Sequence, residues 1–289
     1  MAVFMVAVPC AGPGQEAHGP RETGRIRVRN LGEVSGLAVS RQNPDVIWLH
    51  NDGDEKQVFA VTTAGQLVAR VRIDVPMTDV EDIAIGPGTE QGVDYLYVGD
   101  IGDNESSRQE IRVVRFAEPV LQAARNMKLD ANGVEEFRLR YPDGPHDAEA
   151  LLVDPTTGDV FIVVKEENRS RLYRVGADRL NTGAPIALEL VGYLNVDDVS
   201  AGDISPDGDL IILRDEDRGW IWSRPGGTSV ADSFKRAPRP VLVRAAGQAQ
   251  NGEAVGFTPD GNSYYTVSEG DQEAIVIFPV PVGVVRRGG

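Results

Sequence analysis

Five short segments of this 289-residue chain repeat one pattern, an acid or amide followed by small and branched apolar residues. They are EVSGLAV from Glu33, DVEDIAI from Asp79, DAEALLV from Asp147, DVSAGDI from Asp198 and NGEAVGF from Asn251, at intervals of 46, 68, 51 and 53 residues. Self-similarity near a 50-residue period restricts the chain to repeat architectures, in which each unit buries its apolar faces against its neighbours. Each segment leads through a turn into a second run rich in β-branched and aromatic residues: VIWLHND, DYLYVGD, DVFIVVKE, DLIILRD and NSYYTVSE. Turns such as Ser205-Pro206-Asp207-Gly208 and Thr258-Pro259-Asp260-Gly261 put Pro where φ is preset and Gly where φ turns positive. The pairs therefore read as β-hairpins.

Third strands follow at QVFAVTT, EIRVVRF, SRLYRV, GWIWSR and AIVIFPV, and fourth strands at LVARVRI, VEEFRLRY, ALELVGYL and PVLVRAA. Only the last unit lacks a fourth strand downstream, and GRIRVRN from Gly24 has the character to supply it. This pattern predicts an all-β fold, a five-bladed β-propeller of four-stranded blades whose ring is closed by the N-terminal strand. Six blades would require splitting the 68-residue unit. Its surplus, EPVLQAARNMKLDANG, reads instead as a helical excursion or loop between the third and fourth strands, and as the only helix expected. The propeller is assigned to residues 25–282, between a tail at 1–24 and a short one at 283–289.

The 44 acidic and 29 basic residues give a net charge of −15, which disfavours binding to a phosphate backbone. No run approaches the roughly 20 apolar residues of a membrane span. Cys10 is the only cysteine, so no internal disulfide is expected. The apolar start MAVFMVAVP reads as a clipped signal, followed by a Gly- and Pro-rich tether, so a secreted or cell-envelope location is expected. Pro9 stands where a lipidated cysteine requires a small residue, so a lipid anchor at Cys10 is not favoured. A monomer is expected.

Inner strands of a propeller border a central channel, so matched positions converge on one axis. The first column reads Glu33, Asp79, Asp147, Asp198 and Asn251, and the third Ser35, Glu81, Glu149, Ser200 and Glu253. Alternation with period 2 puts both columns on one face. A second acidic set ends the second strands: Asp52, Asp100, Glu166, Asp215 and Glu269. Carboxylates crowded on one axis must raise their pKa values, separate into water or share a cation. An oxygen-only donor set favours a hard ion, and a roomy ring favours calcium. The alternative is that inner-strand Asp and Ser hydrogen-bond the backbone of neighbouring blades. Asp52-Gly53-Asp54, Asp100 to Glu105 and Asp215-Glu216-Asp217 resemble fragments of calcium loops, without full EF-hand spacing.

His18 lies in the tail, which leaves His50 and His146, both expected near the channel rim, as near-neutral proton shuttles. Lys165 and Arg214, with Arg108, Arg171 and Arg218, fall in or near the loops after the second strands, where positive charge would hold an anionic substrate. The catalytic candidates are therefore His50, His146, Lys165 and Arg214. No Gly-x-Ser-x-Gly, His-Glu-x-x-His or phosphate-cradling loop occurs, so serine-hydrolase, zinc-protease and P-loop readings lack support.

The segments Glu33-Val34-Ser35-Gly36-Leu37, Asp79-Val80-Glu81-Asp82-Ile83, Asp147-Ala148-Glu149-Ala150-Leu151 and Asn251-Gly252-Glu253-Ala254-Val255 resemble those of bacterial phytase-like propellers with esterase-like activity. The resemblance spans roughly residues 25–280. It implies an exported, calcium-associated hydrolase, with Glu81, Glu149 and Glu253 at the metal site. The chain departs from that pattern in carrying Asp82, Ala150 and Ala254 where glycine is usual, and five units where calcium phytases have six. The leading expectation is a calcium-binding propeller that hydrolyses a phosphate or carboxylic ester at its channel mouth. The alternative is a non-enzymatic scaffold that recognises a protein or carbohydrate there.

Overall fold

A computed structural model describes residues 19–54, 56–122, 126–245 and 251–284. Cys10, His18 and the C-terminal residues from 285 lie outside the described residues. Five small sheets ring a common axis, forming a five-bladed β-propeller. The inner strands are Val34–Val39, Val80–Pro87, Ala148–Val153, Ala201–Ile204 and Gly252–Phe257. Each packs against the next, and the fifth returns to the first. Blades 1 to 5 are numbered in that order.

Hydrophobic burial explains the closed ring. Five core clusters lie among the described residues, one at each blade-to-blade interface. In blade 2, Tyr95 and Tyr97 face blade 3, whereas Leu96 and Val98 face blade 1. The period-2 alternation of a single strand thus feeds two cores, which is why the inner strands read as nearly unbroken apolar runs.

The N-terminal strand completes blade 5, pairing antiparallel with Ala274–Pro279. It runs over Arg21–Arg25, so it begins within the stretch assigned to the tail and overlaps GRIRVRN at Gly24 and Arg25. Ile26 is buried in the core between blades 5 and 1, so the chain has already turned inward there. The expected fourth strand of blade 4 is shortened to Arg239–Val241.

The surplus of the long unit also differs from expectation. Met127–Asp130 forms a fifth strand, parallel to Leu67–Arg72 at the outer edge of blade 1. Ile186–Ala187 adds in the same parallel sense to Glu135–Arg140 of blade 2. The α-helix of the described residues lies elsewhere, at Val230–Ser233 in blade 4, where the Ser229 hydroxyl caps the Asp232 N–H.

A candidate metal centre at the channel mouth

The third-column residues occupy a recurrent irregularity. Pairing between inner and second strands skips one residue at Ser35, Glu81, Glu149 and Glu253, a one-residue β-bulge in each of four blades. A bulge frees its residue from the ladder and re-aims its side chain. Simple alternation therefore does not govern these columns. In blade 4 the regular ladder starts later, at Ala201, and Asp198 lies before it, exposed, with φ +49°.

The bulges gather acids from three blades. Carboxylate oxygens of Asp52, Asp79 and Glu81 lie within 4.8 Å of one another, and so do those of Glu81, Asp147 and Glu149. Glu81 belongs to both groups and is only 4% exposed. Its hydrogen-bond partner is the Ser35 hydroxyl, at 3.4 Å. Lys165 Nζ donates to Glu149 Oε1 at 3.0 Å and is the cation bonded into the cluster. Glu253 Oε2 is buried and has no hydrogen-bond partner among the described residues.

Crowding shows in the electrostatics. Unit charges 4.8 Å apart repel by about 3 kcal/mol at an effective dielectric near 20. Burial, followed by the charges of Glu149, Asp52, Asp79 and Asp147, pushes the Glu81 carboxyl up to about 10. Burial raises Glu149 to about 7 against the pull of Lys165, and burial with the Glu149 charge raises Glu253 to about 7. Asp52 and Asp79 are raised too, by burial and then by neighbouring acids. Lys165 is held above its ordinary range because Glu149 and nearby acids outweigh its burial.

The loop after the second strand of blade 2 closes one side of the cluster. A Cβ on Gly102 would stand 2.1 Å from Glu81 Oε1 and 2.7 Å from Asp79 Oδ2, so any larger residue there would push these carboxylates out of place. The next residue, Asp103, donates its N–H to Asp147 Oδ1 at 2.7 Å.

The remaining predicted acids divide. Glu269 stays near the ring, where burial and the charges of Asp52 and Glu33 raise its pKa. Glu33 is exposed at the rim. Asp100 does not join the cluster: it is wholly buried, pairs with Arg108 at 2.7 Å and Arg112 at 3.0 Å, and accepts the N–H groups of Thr78 and Asp79. Glu166 pairs with Arg171. Asp215 caps its own turn through the N–H groups of Asp217 and Arg218. Asp103 does the same for Ser107 and Arg108, so these loop acids act as turn-forming groups.

The two expected proton shuttles lie in different surroundings. His50 is 1% exposed, lies beneath the rim, and is driven down to about 4 by burial despite a contact with the Asn51 carbonyl. His146, next to Asp147 in the chain, lies between Tyr141 and Tyr173 in blade 3 and contacts Asp143 and Arg171. Arg214 is fully buried and donates to the carbonyls of Asp215, Glu216 and Ala254, so it braces blades 4 and 5. Of the four catalytic candidates, Lys165 alone meets the acid cluster.

Two further inner-strand acids, absent from the predicted site residues, make the bonds to neighbouring blades that the alternative reading expected of inner-strand Asp and Ser. Asp82 is wholly buried and accepts the N–H groups of Ile83 and Leu151, with another backbone bond from Gly202. Asp203 accepts those of Ile204 and Phe257. Ser35 and Ser200 bond forward in the same way, to the carbonyls of Glu81 and Gly252. These four side chains stitch blade to blade. The available signal was an Asp within an inner strand, in VEDIAI and AGDI, each apolar apart from it and Glu81.

No protein-family model matches the sequence, and no curated protein does. Among solved structures, the chain is similar to the PQQ-bound form of aldose sugar dehydrogenase from Streptomyces coelicolor, at 12% identity over 91% of this chain and 99% of that one, with TM-score 0.47. It is also similar to a candidate 6-phosphogluconolactonase from Bacteroides uniformis, at 14% identity over 87% and 69%, TM-score 0.40. A nidogen/laminin complex matches at 14% identity over 82% and 73%, TM-score 0.41. Likenesses this distant bring no activity, cofactor or partner to this chain. No helix of the described residues is long and apolar enough to cross a membrane.

Proposed function

We propose that this propeller holds hard divalent cations, calcium foremost, at its channel mouth and uses them to hydrolyse a phosphate or carboxylic ester. One observation carries the reading: buried Glu81 is shared by two oxygen triads, while the cation bonded into the cluster is Lys165. The donor set is all oxygen, as a hard ion requires. Asp52, Asp79 and Glu81 would hold one ion, and Glu81, Asp147 and Glu149 another. Bound there, such ions neutralise an anionic substrate and lower the pKa of water. Lys165 keeps its proton and offers positive charge to the substrate. Glu253, raised to about 7 and with one oxygen unpartnered among the described residues, suits proton transfer. The resemblance of the repeats to phytase-like propellers supports the ester class, and the apolar N-terminal residues support a location outside the cytoplasm.

A binding propeller is the second reading. It is favoured by the commitment of Arg108, Arg171 and Arg218 to carboxylates, which leaves few cations to grip a substrate.

The test compares wild type with Glu81→Gln in EGTA and in calcium. Calcium should raise the melting temperature of wild type and support hydrolysis of p-nitrophenyl phosphate or short acyl esters. Both effects should vanish in the variant. A calcium-dependent melt without hydrolysis would select the binding reading, and a calcium-independent melt would remove the ion altogether.

A further inference from the structure

The strand that the blade 2 excursion adds to blade 1 creates a second feature, remote from the channel. Lys56, Gln57, Arg70, Arg72, Lys128, Leu129 and Asp130 line a groove of about 720 Å³ at the outer edge of that blade. Four cations face one acid there, in a chain whose net charge is −15.

Strand register explains the concentration. Arg70 stands opposite Lys128 on the added strand, and opposite Phe59 on its other side. Its guanidinium lies over the Phe59 ring at 5.6 Å. Arg72 stands opposite Asp130 and shares its charge with Asp130, at 2.7 Å, and Asp74. Among the described residues, no ion pair involves Lys56, Arg70 or Lys128. Like charges directly opposite in a ladder are destabilising. An arrangement that sets Arg70 against Lys128, with the groove's one acid, Asp130, paired to Arg72, is therefore relieved by an anion from outside. The guanidinium fork matches phosphate and sulfate oxygens, and stacking on Phe59 holds it in place. The groove has room for more than one such group.

We propose that this groove binds a small multivalent oxyanion, a molecule carrying two or more phosphate or sulfate groups. Arg70 and Lys128 grip one group, while Lys56 and Arg72 attract the next. The site is independent of the channel centre and needs no metal ion.

Titration calorimetry in EGTA with tripolyphosphate and with sucrose octasulfate tests it, the two probes separating phosphate from sulfate chemistry. One-to-one binding is expected for at least one probe, and it should weaken as salt is added. R70Q/K128Q should lose at least tenfold in affinity while melting no lower than wild type. Lys235→Gln, on the short helix of blade 4, should bind as wild type does. No saturable binding, or equal affinity in R70Q/K128Q, would overturn the proposal. Binding confined to vesicles of phosphatidylserine, with neither small probe retained, would overturn it in favour of a membrane surface.

Discussion

Raising the pH in the presence of EGTA provides the sharpest probe of the channel mouth, because it acts on the carboxyl groups with no ion present. Glu149 and Glu253 titrate near 7 in the folded protein against an ordinary value of 4.5, and Glu81 near 10. Between those limits the native state holds protons that the unfolded chain releases, so stability falls as pH rises. The contribution is complete below about pH 4.5. For Glu149 and Glu253 it is lost by about pH 7, and for Glu81 the loss continues toward 10. Moving one carboxyl from 4.5 to about 7 corresponds to ~3 kcal/mol at about 1.4 kcal/mol per pH unit. In a domain of this size that is on the order of 5 °C in melting temperature. Circular dichroism melts in EGTA from pH 5 to 9 should show this decline. Calcium should remove it, since a cation favours the ionised forms and releases their protons on binding. A wild-type melting temperature that is flat or rising over pH 5–8 in EGTA would refute the crowding argument.

Other consequences follow from individual contacts. Gly102→Ala places a methyl group against Glu81 and Asp79, and should abolish the calcium-dependent rise in melting temperature with every carboxylate still present; an unchanged rise would remove the loop from the site. Asp154→Asn leaves the buried Arg224 guanidinium without its charged partner and should cost about 3 kcal/mol in urea unfolding, whereas a loss below ~1 kcal/mol would contradict the ion-pair reading. His146→Ala should leave calcium response and ester hydrolysis unchanged, because the polar contacts of the ring are with Asp143 and Arg171. Loss of hydrolysis in that variant would return His146 to the mechanism.

The acid cluster was legible only in part. Asp79, Glu81, Asp147 and Glu149 could be placed together because they occupy equivalent positions of a repeat, and ring closure maps equivalent positions onto one axis. Asp100, Glu166 and Asp215 are also equivalent in sequence, yet each met a partner that equivalence does not encode. Asp100 found Arg108 and Arg112, Glu166 found Arg171, and Asp215 found the N–H groups of its own turn. His50 shows the same limit. Its position at a strand end suggested a rim, but packing between blades 1 and 2 covered it.

The amino-acid sequence by itself determined the propeller and its five blades. Hairpin turns, strand alternation and the 50-residue period are properties of neighbouring residues, and they need no knowledge of distant partners. Tertiary structure alone decided which carboxylates remain crowded and which are neutralised. The bulges at Glu81, Glu149 and Glu253 and the arginines of adjacent loops act over ångströms in space, where a carboxylate's protonation and its affinity for a cation are determined by what stands beside it.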